Sequence, residues 1–85
     1  MALFAIIGGR SLTELDARVK TVFQQKVFLH SGQWLVSYTA SLPADVYQAM
    51  KNQGGDINCI VLPIHTYYGW YDKAVWDWMD AHRGV

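Results

Sequence analysis

Cysteine is almost absent from this chain, and so is any surplus of charge. Cys59 stands alone, so no disulfide can staple the fold within one subunit, and nothing is spaced from it as a zinc site requires. Seven Lys and Arg are matched by seven Asp and Glu. Proteins that track a nucleic-acid backbone carry a basic excess or stripe, so extended duplex nucleic acid is not an expected partner and only a local patch remains open. Long apolar runs are missing as well. Met1 to Ile7 is apolar but far too short for a membrane span, and it lacks the basic flank and cleavage site of a signal peptide. These absences lead us to expect a soluble, cytoplasmic protein without membrane association. His30, His65 and His82 show no ligand spacing such as His-x-x-x-His, so neither a metal nor another cofactor is expected.

What is present is apolar. With 85 residues there is room for one domain, residues 1–85, and a chain of this size buries a modest share of its surface. Of these residues 52% are hydrophobic and 16% are charged, where an average globular domain has about a quarter charged. Too few polar groups remain to cover a lone small domain, so self-association, as a homodimer or larger oligomer, is expected to supply the missing burial.

The segment from Val27 to Ala40 organises the rest. Two runs rich in β-branched and aromatic residues flank Ser31-Gly32, and the glycine tolerates the positive φ of a tight turn, which predicts a β-hairpin. Before it, Ala2 to Ile7 is apolar on both alternating faces, as in a central strand covered on both sides. Gly8-Gly9 ends that strand. Ser11-Leu12-Thr13-Glu14 then has the form of a capping box, so a helix is expected from about Leu12. Leu12, Leu15, Val19, Val22 and Phe23 make its apolar stripe, with Asp16, Arg18, Lys20 and Gln24 facing away.

Beyond the hairpin, Ser41-Leu42-Pro43 opens a second helix, because proline is tolerated in the first turn. Leu42, Val46, Ala49 and Met50 form its buried stripe, and Gly54-Gly55 ends it. Ile57 to Ile64 reads as a strand whose Pro63 favours an edge or a strand end. A last helix runs from about Trp70 to His82, with Ala74, Val75, Trp78, Met79 and His82 on one face and Trp76 elsewhere. The order strand, helix, strand, strand, helix, strand, helix belongs to the α+β class. Right-handed crossovers place the first strand between the third and fourth, which gives a ferredoxin-like split β-α-β sandwich (βαββαβ) with an additional C-terminal helix. Two helices cover one sheet face, and the other needs the final helix or a partner chain.

Two stretches are candidate ligand-binding sites. Gly8, Gly9, Arg10 and Ser11 lie between a strand and a helix start, where free N–H groups, the helix dipole and an arginine can hold an anion. A tight turn with a cap explains the same residues, except that capping alone does not need Arg10. His65, Thr66, Tyr67, Tyr68, Trp70 and Tyr71 form a polar-aromatic loop that can stack a base or line a protein interface. Cys59 and His65 sit six residues apart on one extended segment, roughly 20 Å, too far for a thiol and its base, so Cys59 is expected to be a core residue.

The run His30-Ser31-Gly32-Gln33-Trp34-Leu35-Val36, the helix opening Leu42-Pro43-Ala44, Asp56 before an aliphatic strand, Gly69-Trp70 and Lys73-Ala74-Val75-Trp76-Asp77-Trp78 together resemble the SinR-like group of small proteins. That group is similar to a branch of the fold of the second CRISPR-associated adaptation protein. The resemblance implies a ferredoxin-like homodimer. Its metal-dependent nuclease members place an aspartate at the end of the first strand, so that two subunits bring paired carboxylates to one magnesium. This chain has Gly8-Gly9-Arg10 there, and magnesium needs hard oxygen ligands that these residues do not offer. The expected function is therefore a non-catalytic oligomeric binding or regulatory protein. It would sequester a nucleotide-like ligand or inhibit a partner protein, for example in phage–host defence. The alternatives are a divergent metal-dependent endoribonuclease of that fold and a structural protein-interaction subunit.

Overall fold

The computed structural model describes residues 2–39, 42–65, 69 and 71–82. Along the chain run β1 (Ala2–Gly8), α1 (Leu12–Val22), β2 (Gln25–His30), β3 (Gln33–Tyr38), α2 (Pro43–Lys51), β4 (Cys59–Ile64) and α3 (Lys73–Ala81). The four strands form one sheet in the order β2-β3-β1-β4, with every neighbouring pair antiparallel. β1 thus lies between β3 and β4, as the crossover argument requires. Its lack of polar side chains follows from that position, since Phe4 and Ile6 are fully buried on one face and Leu3 is buried on the other.

The main core fills the space between the sheet and two helices. Phe4 and Ile6 of β1 and Trp34 and Val36 of β3 pack against Leu15 and Val19 of α1, Val46 and Met50 of α2, and the flanking Phe23 and Ile57. Complete burial of a side chain of this kind contributes roughly 1.5–3 kcal/mol, so this layer is the dominant source of stability. The hairpin turns at Ser31-Gly32, where Gly32 has φ of 79°, and β2 and β3 meet with a register irregularity between Phe28 and His30. Pro63 lies on the edge strand, where proline is tolerated better than inside a sheet.

Several local expectations need correction. Ser11 does not build a capping box: it adopts a left-handed backbone (φ 53°, ψ 45°) and its hydroxyl makes no cap bond. Glu14 turns instead to Arg18 one helical turn on. Arg18 does not face solvent. It is buried, and its Nη1 donates to the Met50 carbonyl at 3.0 Å and to the Gly55 carbonyl at 2.9 Å, which ties α1 to the end of α2. Asp16 faces the hairpin turn rather than open water, because it lies beside Gly32 and Trp34. Leu42 precedes α2 and is 59% exposed, so the buried stripe of that helix is Val46 and Met50 with a half-buried Ala49. The last strand starts at Cys59 rather than Ile57, whose backbone N–H donates to the Tyr47 hydroxyl outside the ladder. Ala74 of α3 is exposed, not part of its packed face.

The opposite sheet face carries a second, smaller cluster. Leu3, Leu35 and Met79 are buried there, with Ala5, Val27, Leu29, Ile64, Val75 and Trp78 around them. The final helix is thus a cover for this face, but a partial one.

Candidate functional site

The Gly8 to Ser11 turn is built for close packing. The Gly8 N–H donates to the Gly32 carbonyl at 2.7 Å and the Gly9 N–H to the Asn58 carbonyl at 3.3 Å, so both point into the protein. A Cβ on Gly8 would stand 2.6 Å from Leu15 Cδ2 and 2.8 Å from Leu12 Cδ2, and one on Gly9 would collide with Asn58 Oδ1. Gly8 is thus held to a glycine by the approach of α1, whereas Gly9 meets only the end of the exposed Asn58 side chain, which can turn aside. Arg10 and Ser11 are exposed.

The second candidate stretch lies elsewhere. Gly8 is opposite Cys59 in the β1–β4 ladder, whereas Ile64 is opposite Leu3 at the other end. Five residue steps of a strand span about 17 Å, so His65, which follows Ile64, leaves the sheet at the far end from Gly8. One subunit does not bring Gly8 to Ser11 and His65 together. Thr66, Tyr67, Tyr68 and Trp70 lie outside the described residues. Tyr71 is about half exposed and, with Gly69, Asp72, Lys73 and Trp76, lines an open hollow of about 800 Å³ at the start of α3. Lys73 pairs within the helix with Asp77 at 3.0 Å.

A different surface stands out, one that no sequence motif marks. On the sheet face that α3 shares, β1 and β4 present Leu3, Ala5 and Ile7 opposite Ile64, Leu62 and Ile60. None of these six is polar. The half nearest Leu3 lies against the cluster around Met79. The other half is open: Ile7 is 36% exposed, Leu62 48% and Ile60 61%. The signal was legible in the alternation of β4, where Ile60, Leu62 and Ile64 fall on one face, but it could not say how far a final helix would reach. β4 is also an edge strand, so the strip continues to the border of the sheet.

The titratable groups do structural work. Burial raises the Asp16 carboxyl, but bonds from Trp34 Nε1, the Gly32 N–H and the Ser31 hydroxyl, with the charge of Lys20, outweigh it and hold the group below its ordinary range. Asp56, exposed, is lowered by a bond from the Tyr47 hydroxyl and by Lys51. Burial pushes the Cys59 thiol up, away from the thiolate a nucleophile needs, and its side chain packs against the main core. Among the described residues no group of three or more His, Cys, Asp or Glu is placed to hold a metal ion, and no helix is long and apolar enough to cross a membrane.

No family model, curated protein or solved structure matches this chain.

Proposed function

We propose that this chain is a non-catalytic, self-associating binding protein with a ferredoxin-like split β-α-β sandwich, similar to the SinR-like proteins. The observation that carries the reading is the uncharged strip of Ile7, Ile60 and Leu62 beside α3. Isolated exposed apolar residues are ordinary, but three registered across two adjacent strands form a patch of the kind that marks an interaction surface. A second copy of the chain is the partner that suits it. A two-fold interface sets the same patch against itself, and a patch without charge meets its own image without like-charge repulsion. The ferredoxin-like reading is supported by the antiparallel order β2-β3-β1-β4 with both crossover helices on one face.

The non-catalytic part of the reading is supported by the packing of Gly8. Where nuclease relatives are expected to carry a carboxylate, any side chain on this residue would displace Leu12 and Leu15. The bonds of the Gly8 and Gly9 N–H groups favour a protein partner over a nucleotide-like anion held at Gly8 to Ser11. In a host, such a module would act by occupying a partner, and inhibition of a defence protein is one setting in which that chemistry suffices.

Light scattering at micromolar concentration tests the assembly, with a dimer or larger species as the expected mass; a monomer across that range overturns it. Incubation with RNA and DNA in magnesium or manganese tests the absence of cleavage. Metal-dependent cleavage that tracks the protein through purification would put the divergent nuclease in its place. Binding of a nucleotide panel that is lost in Arg10→Ala would restore the anion site.

A further inference from the structure

We propose that α3 is a displaceable cover, leaving the sheet as a unit while α1 and α2 stay docked, and so setting how much apolar sheet the protein exposes. The three helices are anchored very differently. α1 buries Leu15, Arg18 and Val19, and α2 buries Val46 and Met50, whereas Met79 alone is buried among the residues of α3. Asp16 and Arg18 add charged hydrogen bonds that fasten α1 to the hairpin turn and to the end of α2. The last turn of α3 is held to the sheet by His82, whose Nε2 lies 2.9 Å from Gln25 Oε1 and whose ring stacks on Trp78.

Beneath that turn lies an unfavourable group. Ser37 is 3% exposed, and its Oγ is buried with no hydrogen-bond partner among the described residues. Register places Ser37 directly between Leu3 on β1 and Gln25 on β2. Leu3 packs with Met79, and Gln25 meets His82. The end of α3 therefore passes over Ser37, and docking of the helix takes water from a hydroxyl that gains no partner among the described residues. Lifting α3 rehydrates it.

The helix itself resists little. α1 and α2 each have an acidic residue in the first turn and a basic one in the last, the arrangement that suits the helix dipole, while α3 has neither. A nine-residue helix is far below the length that persists alone in water, so undocking and melting of α3 are one event. That event uncovers Leu3, Leu35 and the neighbouring Val27 and Leu29, which extend the open strip of Ile7, Ile60 and Leu62 across the sheet. Local opening of this kind precedes global unfolding in proteins whose elements differ in buried contact. The use of the enlarged face by a second copy rests on the function proposed above; the opening itself does not.

Native-state hydrogen exchange on the full chain, read by NMR at a concentration where light scattering gives the smallest species, tests the proposal. The backbone amides of Val75 to His82 should exchange through an opening easier than that of the β1–β3 ladder. Ser37→Ala should slow the α3 amides roughly 5- to 100-fold, because the closed state no longer buries an unpaired hydroxyl. Met79→Asp should remove α3 protection while leaving the exchange pattern of α1 and the central strands recognisable. The proposal is overturned if the α3 amides open only together with the ladder, or if Ser37→Ala leaves their rates unchanged. A chain that is monomeric throughout but opens α3 in this way refutes self-association and supports the cover.

Discussion

Trp34 Nε1 donates to Asp16 Oδ1 across 2.7 Å, joining the middle of α1 to the strand after the hairpin turn. The same oxygen accepts the Gly32 N–H at 2.9 Å, and the other carboxylate oxygen accepts the Ser31 hydroxyl at 3.1 Å. One side chain thus sets the turn of the hairpin and its position over the helix. Gly32 must be a glycine there for two reasons, its positive φ and the approach of Leu12 to its Cα.

Asp16→Ala should destabilise the fold by about 2 kcal/mol, the scale for charged acceptors that leave buried donors unpaired, as measured by urea denaturation. The pH dependence has a defined sign. The folded carboxyl is held below its ordinary value, so its stabilisation is fully present above that value and is lost as pH falls through the lower folded one. Asp16→Asn should therefore flatten the acid side of the stability profile. An unchanged acid limb would show that Asp16 is not the group that senses pH.

Arg18→Met should cost about 3 kcal/mol, because it takes the guanidinium donor from the Gly55 carbonyl, leaves the Met50 carbonyl only backbone N–H groups such as that of Gln53, and uncouples α1 from the end of α2. Glu14→Gln removes only the half-exposed partner of the same arginine and should cost under about 1 kcal/mol. Thermal unfolding of the two variants separates the contributions, and equal losses would contradict the role assigned to the carbonyl contacts.

Ser11→Ala should leave stability nearly unchanged, since no cap bond exists to be lost. Ser11→Gly should raise it by about 0.5–1 kcal/mol, because glycine adopts the left-handed backbone of this position without the strain of a Cβ. A loss of 1 kcal/mol or more in the alanine variant would mean that the capping bond forms after all.

If the proposed self-association uses the open strip, Ile60→Lys combined with Leu62→Lys should give a monomer in analytical ultracentrifugation while the unfolding midpoint of the monomer moves little. Both side chains are exposed on an edge strand, so the substitution removes apolar contact area only where copies are proposed to meet. A doubly substituted protein that still associates would place the interface on another face.

The alternation of residues by itself determined much of this protein. The element order, the hairpin at Ser31-Gly32, the helix opening at Pro43 and the central position of β1 all follow from local periodicity and turn chemistry, which depend on neighbours a few residues apart. Met50 and Val46 were legible in the core for the same reason. What tertiary structure alone decided are the fates of groups whose partners are distant in sequence. Arg18 reads as a solvated helix residue until the end of α2, 32 residues away, supplies a carbonyl for it. Asp16 reads likewise until the hairpin turn folds against it, and Ser11 reads as a cap although its backbone is left-handed and its hydroxyl makes no cap bond. The two candidate ligand stretches read in the sequence as an anion site and a base-stacking loop that one nucleotide-like ligand could use, yet antiparallel pairing of β1 and β4 sends Gly8 and His65 to opposite ends of the sheet. Periodicity reports which face a side chain takes; only the register of distant strands and the reach of α3 determine what that face meets.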